Sequence, residues 1–89
     1  MLGLSTAPVY ATLYQTIFVN ATLPHWVEVN GARCKMEELP AAIAKNVRGD
    51  DKILIRLLVS GAISKAEEKR IIGLCRQAGA RTFEIGFKD

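Results

Sequence analysis

Residues 27–44 of this chain read VEVNGARCKMEELPAAIA and contain, in order, a strand, a tight turn and the start of a helix. Asn-Gly at 30–31 accepts the positive φ angles that a two-residue hairpin turn requires. The glutamates at 37–38 then place negative charge against the positive end of a helix dipole. Pro40 lies near the first helical turn, where few hydrogen bonds are lost. This order predicts a short β-hairpin that runs directly into a helix.

Further elements flank this hairpin and helix on both sides. Alternating residues predict strands over 13–22 and 82–88, and an almost continuous apolar run predicts a central strand over 52–59. Ser64 and Glu67 have the spacing of a capping box, which marks the start of a second helix. In the last strand, three side chains are expected to point inward: Phe83, Ile85 and Phe87.

These elements predict an α+β fold. We expect a two-layer sandwich, with a four- to five-stranded mixed sheet and two helices on one face. The strand–helix–strand passage over 52–87 should cross over right-handed, so its two strands are parallel if they are neighbours. Residues 1–12 are expected to be a flexible N-terminal lead, and residues 13–89 a single domain.

The composition is that of one small globular domain. Of the 89 residues, 49% are hydrophobic and 24% are charged, which argues against a disordered chain. The net charge is +3, and the lysine and arginine residues are spread from Arg33 to Lys88. The uncharged stretch 1–27 contains no run of about 18 apolar residues, so no transmembrane span is predicted. It also lacks the basic start of a signal peptide.

The sequence assigns no catalytic, metal-binding or cofactor-binding residue. His25 is the single histidine and has no acid, cysteine or second histidine near it in sequence. No glycine-rich phosphate loop is present. Cys34 and Cys75 lack metal-ligand spacing, and they are either two buried free thiols or one disulfide. We therefore expect that the protein is not an enzyme and needs no cofactor.

Three pieces of the chain, in order, resemble the soluble domain of the ExbD/TolR family. They are VEVNG at 27–31, MEELPAAI at 36–43 and CRQAGA at 75–80. The family's members are the small subunits of bacterial proton-driven energy transducers. The resemblance covers residues 26–87. It departs from the family pattern at 58–60, where Leu-Val-Ser stands in place of a frequent Arg-Ala-Asp run.

The resemblance implies a non-catalytic periplasmic domain of an envelope transport or energy-transduction complex coupled to the proton-motive force. The parent protein would be anchored by one membrane helix at the periplasmic face of the bacterial inner membrane, with this chain as its soluble part. The implied partners are a second copy of the chain, a large ExbB/TolQ-type membrane subunit reached through that helix, and a TonB-like protein or peptidoglycan. No nucleic acid is expected by this resemblance.

Two candidate binding surfaces follow from the residues. The apolar segment 9–19 is suited to pair edge to edge with a second copy. The aromatic residues proposed as dimer or partner anchors are Tyr10, Tyr14, Phe18 and Trp26. The alternative places these rings in the domain's own core. The second candidate is a basic patch for an anionic polymer, formed by Arg33, Lys35 and Arg48.

A small cytoplasmic α/β module that binds nucleic acid is the alternative function. The isoelectric point near 9.1 and the expected outward positions of Arg56 and Lys88 favour it. The sequence shows neither a recognisable pair of aromatic residues on a central strand nor a Gly-x-x-Gly clamp, and both would be typical of such a module.

Overall fold

The computed structural model describes residues 14–23, 26–49 and 52–88, which form a five-stranded mixed sheet with two helices on one face. The strands are β1 (Tyr14–Leu23), β2 (Trp26–Val29), β3 (Ala32–Lys35), β4 (Lys52–Ser60) and β5 (Thr82–Lys88). A short 3₁₀ helix (Met36–Glu38) leads into α1 (Leu39–Asn46), and α2 is Lys65–Gln77. The predicted α+β sandwich is confirmed. The expected flexible lead, 1–12, lies outside the described residues.

The strand order across the sheet is β3-β2-β1-β4-β5. β1 pairs antiparallel with β2 and parallel with β4, and β4 pairs parallel with β5. The predicted parallel arrangement of the two strands that flank α2 is therefore confirmed. β1 lies in the middle of the sheet, and β3 and β5 are its two edges.

The central position of β1 bears on one prediction. Segment 9–19 was expected to pair edge to edge with a second copy, and its described part belongs to β1. Val19 is registered with Val29 on one side and with Leu57 on the other, whereas residues 14–17 are registered with β4 alone. Both sides of β1 are therefore occupied from Val19 onwards, and edge pairing through the residues before it stays a prediction.

The turn between β2 and β3 has the predicted geometry. Asn30 has a φ of 49° and Gly31 a φ of 88°, as a two-residue type I′ turn requires. The Asn30 side-chain oxygen accepts a hydrogen bond from the Phe18 N–H at 2.9 Å. The Asn30 amide donates to the side-chain oxygen of Asn46 at 3.2 Å. The turn is thus tied both to the central strand and to the end of α1.

Gln15 makes a second connection between β1 and the end of α1. Its side-chain amide donates to the backbone carbonyl of Asn46, and its oxygen accepts from the Arg48 N–H at 2.8 Å. Asn46 in turn donates from its side chain to the Ala42 carbonyl at 2.8 Å. These bonds satisfy polar groups at the helix end that have no intrahelical partner.

The core lies between the helices and one face of the sheet, and it is aliphatic. The odd-numbered residues 17–21 of β1 and those of β2 and β4 point towards the helices and are buried, as are Leu39, Ile43 and Ile71. No polar or aromatic residue among the described ones is fully buried. Hydrophobic burial in one layer therefore holds the helices on the sheet.

The start of α2 confirms the predicted capping box. The Glu67 N–H donates to Ser64 Oγ at 3.1 Å, and the Ser64 N–H donates to Glu67 Oε1 at 3.2 Å. Two backbone donors of the first turn are therefore satisfied by side chains. The helix ends before Gly79, whose φ of 102° is in the left-handed region.

The burial predicted for β5 is wrong in part. Phe83, Ile85 and Phe87 lie on the helix side of the sheet, as the alternation predicted, and Phe83 is half-buried. Ile85, however, is 40% exposed and Phe87 is 68% exposed. The reason is that β5 is an edge strand, so a neighbouring strand shields these side chains on one side only.

The capping box gives a test of this fold. Ser64→Ala removes the side-chain acceptor for the first turn of α2, so we expect it to lower the free energy of unfolding by about 1 kcal/mol. Urea unfolding followed by circular dichroism measures the change. Ser64→Asp keeps an acceptor at this position and is the matched control. Equal stability of Ser64→Ala and the wild type would show that the box does not stabilise α2.

Candidate functional site

None of the residues that the structure describes covers the sheet face opposite the helices, and we call it the open face. It consists of the even-numbered residues of β1 up to Asn20, of β2, of β4 and of β5, and of the odd-numbered residues of β3. It contains both apolar and charged side chains, and they range from half-buried to exposed. A sheet with one face on the core and one in water is an ordinary solution for a two-layer domain.

Three of the four aromatic residues predicted as anchors lie on this open face. Tyr14 is 49% exposed, Phe18 is 50% exposed and Trp26 is 40% exposed. The alternative that these rings close the domain's own core is therefore wrong for these three. Tyr10, the fourth, lies outside the described residues. The role of the three rings as dimer or partner anchors stays a prediction.

Each of these rings lies directly across from a basic residue. The sheet register pairs Tyr14 with Lys52, Phe18 with Arg56, and Trp26 with Lys35. The guanidinium carbon of Arg56 is 5.9 Å from the centre of the Phe18 ring. That of Arg33 is 5.9 Å from the Trp26 ring. A cation at this distance is attracted by the face of the ring, so the open face repeats one aromatic–cation arrangement.

A groove of about 340 Å³ runs along the open face beside Phe18. Its walls include Asn20 and Leu58, and Gly86 leaves room on the β5 side. Arg56 Nε lies 2.9 Å from Glu84 Oε1, and both side chains are 57% exposed. An ion pair this exposed contributes little to stability. The groove therefore offers an apolar floor with hydrogen-bonding groups at its rim.

The residues of the predicted basic patch lie on two parts of the fold. Arg33 and Lys35 are exposed on β3 and share the open face. Arg48 is exposed after the end of α1, and its N–H donates to the side chain of Gln15. The joint action of these three residues as a basic patch stays a prediction.

The two edges of the sheet differ in length and in chemistry. The β3 edge has four residues, and its exposed Arg33 and Lys35 make it a poor template for another strand. The β5 edge has seven residues, with the apolar side chains of Ile85 and Phe87 exposed beside it. Lys65 Nζ lies 6.0 Å from the centre of the Phe87 ring. An unpaired edge of this kind is a surface for strand addition.

Nothing local to residues 82–88 reveals that this strand lies at an edge of the sheet. The sequence therefore did not predict β5 as a binding surface. It did identify Arg56 as outward-facing. That arginine interrupts an otherwise apolar strand, which is the signal that marked the open face of β4.

The cysteines are free thiols and are not activated. Cys75 is buried, and burial raises its pKa to about 12. Cys34 is half-buried, and its pKa is raised by burial and by the neighbouring Glu38 carboxylate. Both thiols are therefore protonated at neutral pH, and a protonated thiol is a weak nucleophile.

The described residues contain no group of three or more potential metal ligands. Within the same residues, no helix is both long and apolar enough to cross a membrane. His25 lies outside this part of the chain. The candidate functional features of the described structure are thus two surfaces, the open face and the β5 edge.

The chain matches no protein-family model, and no curated protein sequence is significantly similar to it. The class defined by residues 14–23, 26–49 and 52–88 is a small α+β domain in which one sheet face has no helix on it and the β5 edge has no further strand beside it.

The state of the thiols is open to a direct test. At about pH 8 we expect iodoacetamide to modify Cys34 slowly and Cys75 only after unfolding, because thiolate is the reactive form. Raising the pH increases the rate at Cys34, whereas Cys75 stays protonated up to about pH 12 while the fold persists. Mass spectrometry of peptides measures both rates. Rapid modification of Cys75 in the native protein would contradict the buried position of this thiol.

Proposed function

We propose that this chain is a non-catalytic, self-associating domain of the ExbD/TolR type, which acts by binding other proteins or cell-wall polymer. The observation that carries the self-association is the β5 edge, which no other described strand pairs with and beside which two apolar side chains are exposed. The order of hairpin, helix, strand, helix and strand also fits the resemblance.

In this proposal the domain works at the periplasmic face of the bacterial inner membrane, as part of a transport complex coupled to the proton-motive force. A large ExbB/TolQ-type subunit is contacted by a membrane helix of the parent protein. The domain itself binds a TonB-like protein or peptidoglycan. These assignments rest on the resemblance of residues 26–87.

The chemistry of β5 favours pairing with a second copy. The strand contains no proline, so each residue whose backbone faces away from β4 offers both an N–H and a C=O at the edge. An antiparallel pair centred on Ile85 would place Phe87 of one copy opposite Phe83 of the other, on the helix side. Glu84 would lie opposite Gly86, where no side chain opposes it. Such a pair removes apolar surface from water and extends the sheet.

The β5 edge can be tested by charge substitution. Phe87→Lys and Ile85→Lys would each place a lysine where apolar surface is to be buried, so we expect the dimer dissociation constant to rise by at least about tenfold. Sedimentation velocity over a concentration series measures this constant, and circular dichroism checks the fold. Ala41→Lys is the control, because Ala41 is exposed on α1 and belongs neither to β5 nor to the predicted aromatic anchors.

A wild-type protein that stays monomeric at all concentrations would overturn self-association. A dimer that persists in both β5 variants would overturn this interface. Tyr14→Asp separates the β5 edge from the aromatic anchors, because it weakens the dimer only if the ring of Tyr14 is part of the contact.

The compartment is tested in the native host. We expect an antibody against this domain to detect a band in the inner-membrane fraction, heavier than 9.8 kDa and accessible to protease from the periplasm. That mass reflects the membrane anchor of the parent protein. A cytoplasmic band at the size of this chain would remove the ExbD/TolR assignment and leave self-association to be judged by sedimentation alone.

A further inference from the structure

We infer that the open face binds single-stranded nucleic acid, with exposed aromatic rings as stacking platforms for bases and neighbouring basic side chains as phosphate contacts. This inference takes up the alternative function, nucleic-acid binding. It competes with the periplasmic assignment but not with pairing through β5, and it does not rest on the proposed function. It uses the opposite side of the sheet from Phe87 and Ile85, so the two proposals fail independently.

The rings are placed as platforms rather than as core residues. Tyr14, Phe18 and Trp26 are each 40% exposed or more and belong to one sheet face. Tyr14 and Phe18 are four residues apart on β1, which corresponds to roughly 13 Å along a strand. Trp26 lies on the adjacent strand β2. Exposed rings spread across a sheet are the feature on which single-stranded bases stack, and every base has a face that can stack.

The charges complement a phosphate backbone. Lys35 lies across from Trp26 and Lys52 across from Tyr14, so each of these lysines faces a ring rather than an acid. The open face also carries two acids, and each of them faces an arginine. Glu84 is paired with Arg56, and Glu28 is registered with Arg33. Because no acid faces these two lysines, they give the open face its positive charge. They lie beside two of the three exposed rings.

The groove supplies a place for a base edge. A base stacked on Phe18 would lie beside the Asn20 amide and the Arg56 guanidinium, which can hydrogen-bond to it. Gly86 keeps the β5 side of the groove open, since it presents no side chain. The Arg56–Glu84 pair is solvent-exposed, so its rearrangement on binding costs little.

A protein partner fits this face less well. The centre of a protein–protein interface is depleted of charged residues. On the open face, by contrast, charged side chains alternate with the rings in register across the central strands. Alternation of rings and cations matches a ligand that itself alternates flat bases with negative phosphates.

The test is fluorescence anisotropy with labelled oligothymidylate and oligouridylate of about twenty nucleotides. We expect binding at low salt that weakens steeply as the salt concentration rises, because phosphate contacts release counterions. Phe18→Leu and Trp26→Leu are each expected to weaken binding roughly tenfold while keeping the salt dependence. Lys35→Gln and Lys52→Gln are expected to reduce the steepness of that dependence.

Phe87→Leu is the matched control. Phe87 is a more exposed ring than Phe18 and also has a lysine near its face, but it lies on the helix side of the sheet. Its substitution should leave the affinity for the oligonucleotides unchanged. Circular dichroism of each variant verifies that the fold is retained, and sedimentation of Phe18→Leu should match the wild type.

Three results would overturn the inference. The first is absence of binding at low salt to both oligonucleotides. The second is an equal loss of affinity in Phe87→Leu and Phe18→Leu. The third has two parts: polyglutamate displaces the labelled oligonucleotide as well as unlabelled oligonucleotide does, and Phe18→Leu leaves the binding intact. Together these would show that the open face binds any polyanion without base stacking.

Discussion

The parallel pairing of β1 with β4 is the constraint on which the rest of this structure depends. The two strands are registered from Tyr14 and Lys52 to Ala21 and Val59, although they are far apart in the chain. Parallel neighbours require a long connection between them, and here the hairpin and α1 supply it. The remaining strands extend this pair, with β2 on the β1 side and β5 on the β4 side. Both helices pack on its buried face.

This arrangement divides the molecule into surfaces with separate chemistry. Aliphatic residues on one side of the β1–β4 pair are fully used in holding the helices. The other side needs no such contact, so it accommodates rings, lysines and arginines without loss of the core. The unpaired edge lies at the far end of the sheet, on β5. A binding event on the open face and one on the edge therefore involve different side chains.

Much of the fold was predictable because its signals are local. The Asn-Gly turn is specified by the φ angles of two residues, and the start of α2 by Ser64 and Glu67. Alternation in β4 and β5 correctly assigned each side chain to a face. These features depend on neighbours a few residues away, which is the range at which sequence patterns are informative.

The predictions that were wrong depended on strand order. Alternation gives Phe83 and Phe87 the same face, but only the position of β5 at the edge makes one half-buried and the other exposed. The edge pairing expected of 9–19 likewise depends on strand order, because β1 is central and is registered with β2 only from Val19 onwards. The rings of Tyr14 and Phe18 were identified as candidates, yet their pattern is the same whether that face is buried or open. The pairing of strands that are distant in the chain decides whether that face is buried or open. No single segment of the sequence encodes this pairing.

The position of β1 also has a mechanical consequence. A pull on the chain through the residues that precede Tyr14, against an anchor at the far end of β5, loads the central strand along its own axis. The hydrogen bonds to β2 and β4 then lie across the direction of force and share it, so they must break together rather than one after another. The N-terminal end of β1 bears the force first. The side-chain hydrogen bonds of Gln15 to Asn46 and Arg48 strengthen the structure at this end. A strand loaded in this way resists tension better than one whose hydrogen bonds are pulled apart one after another.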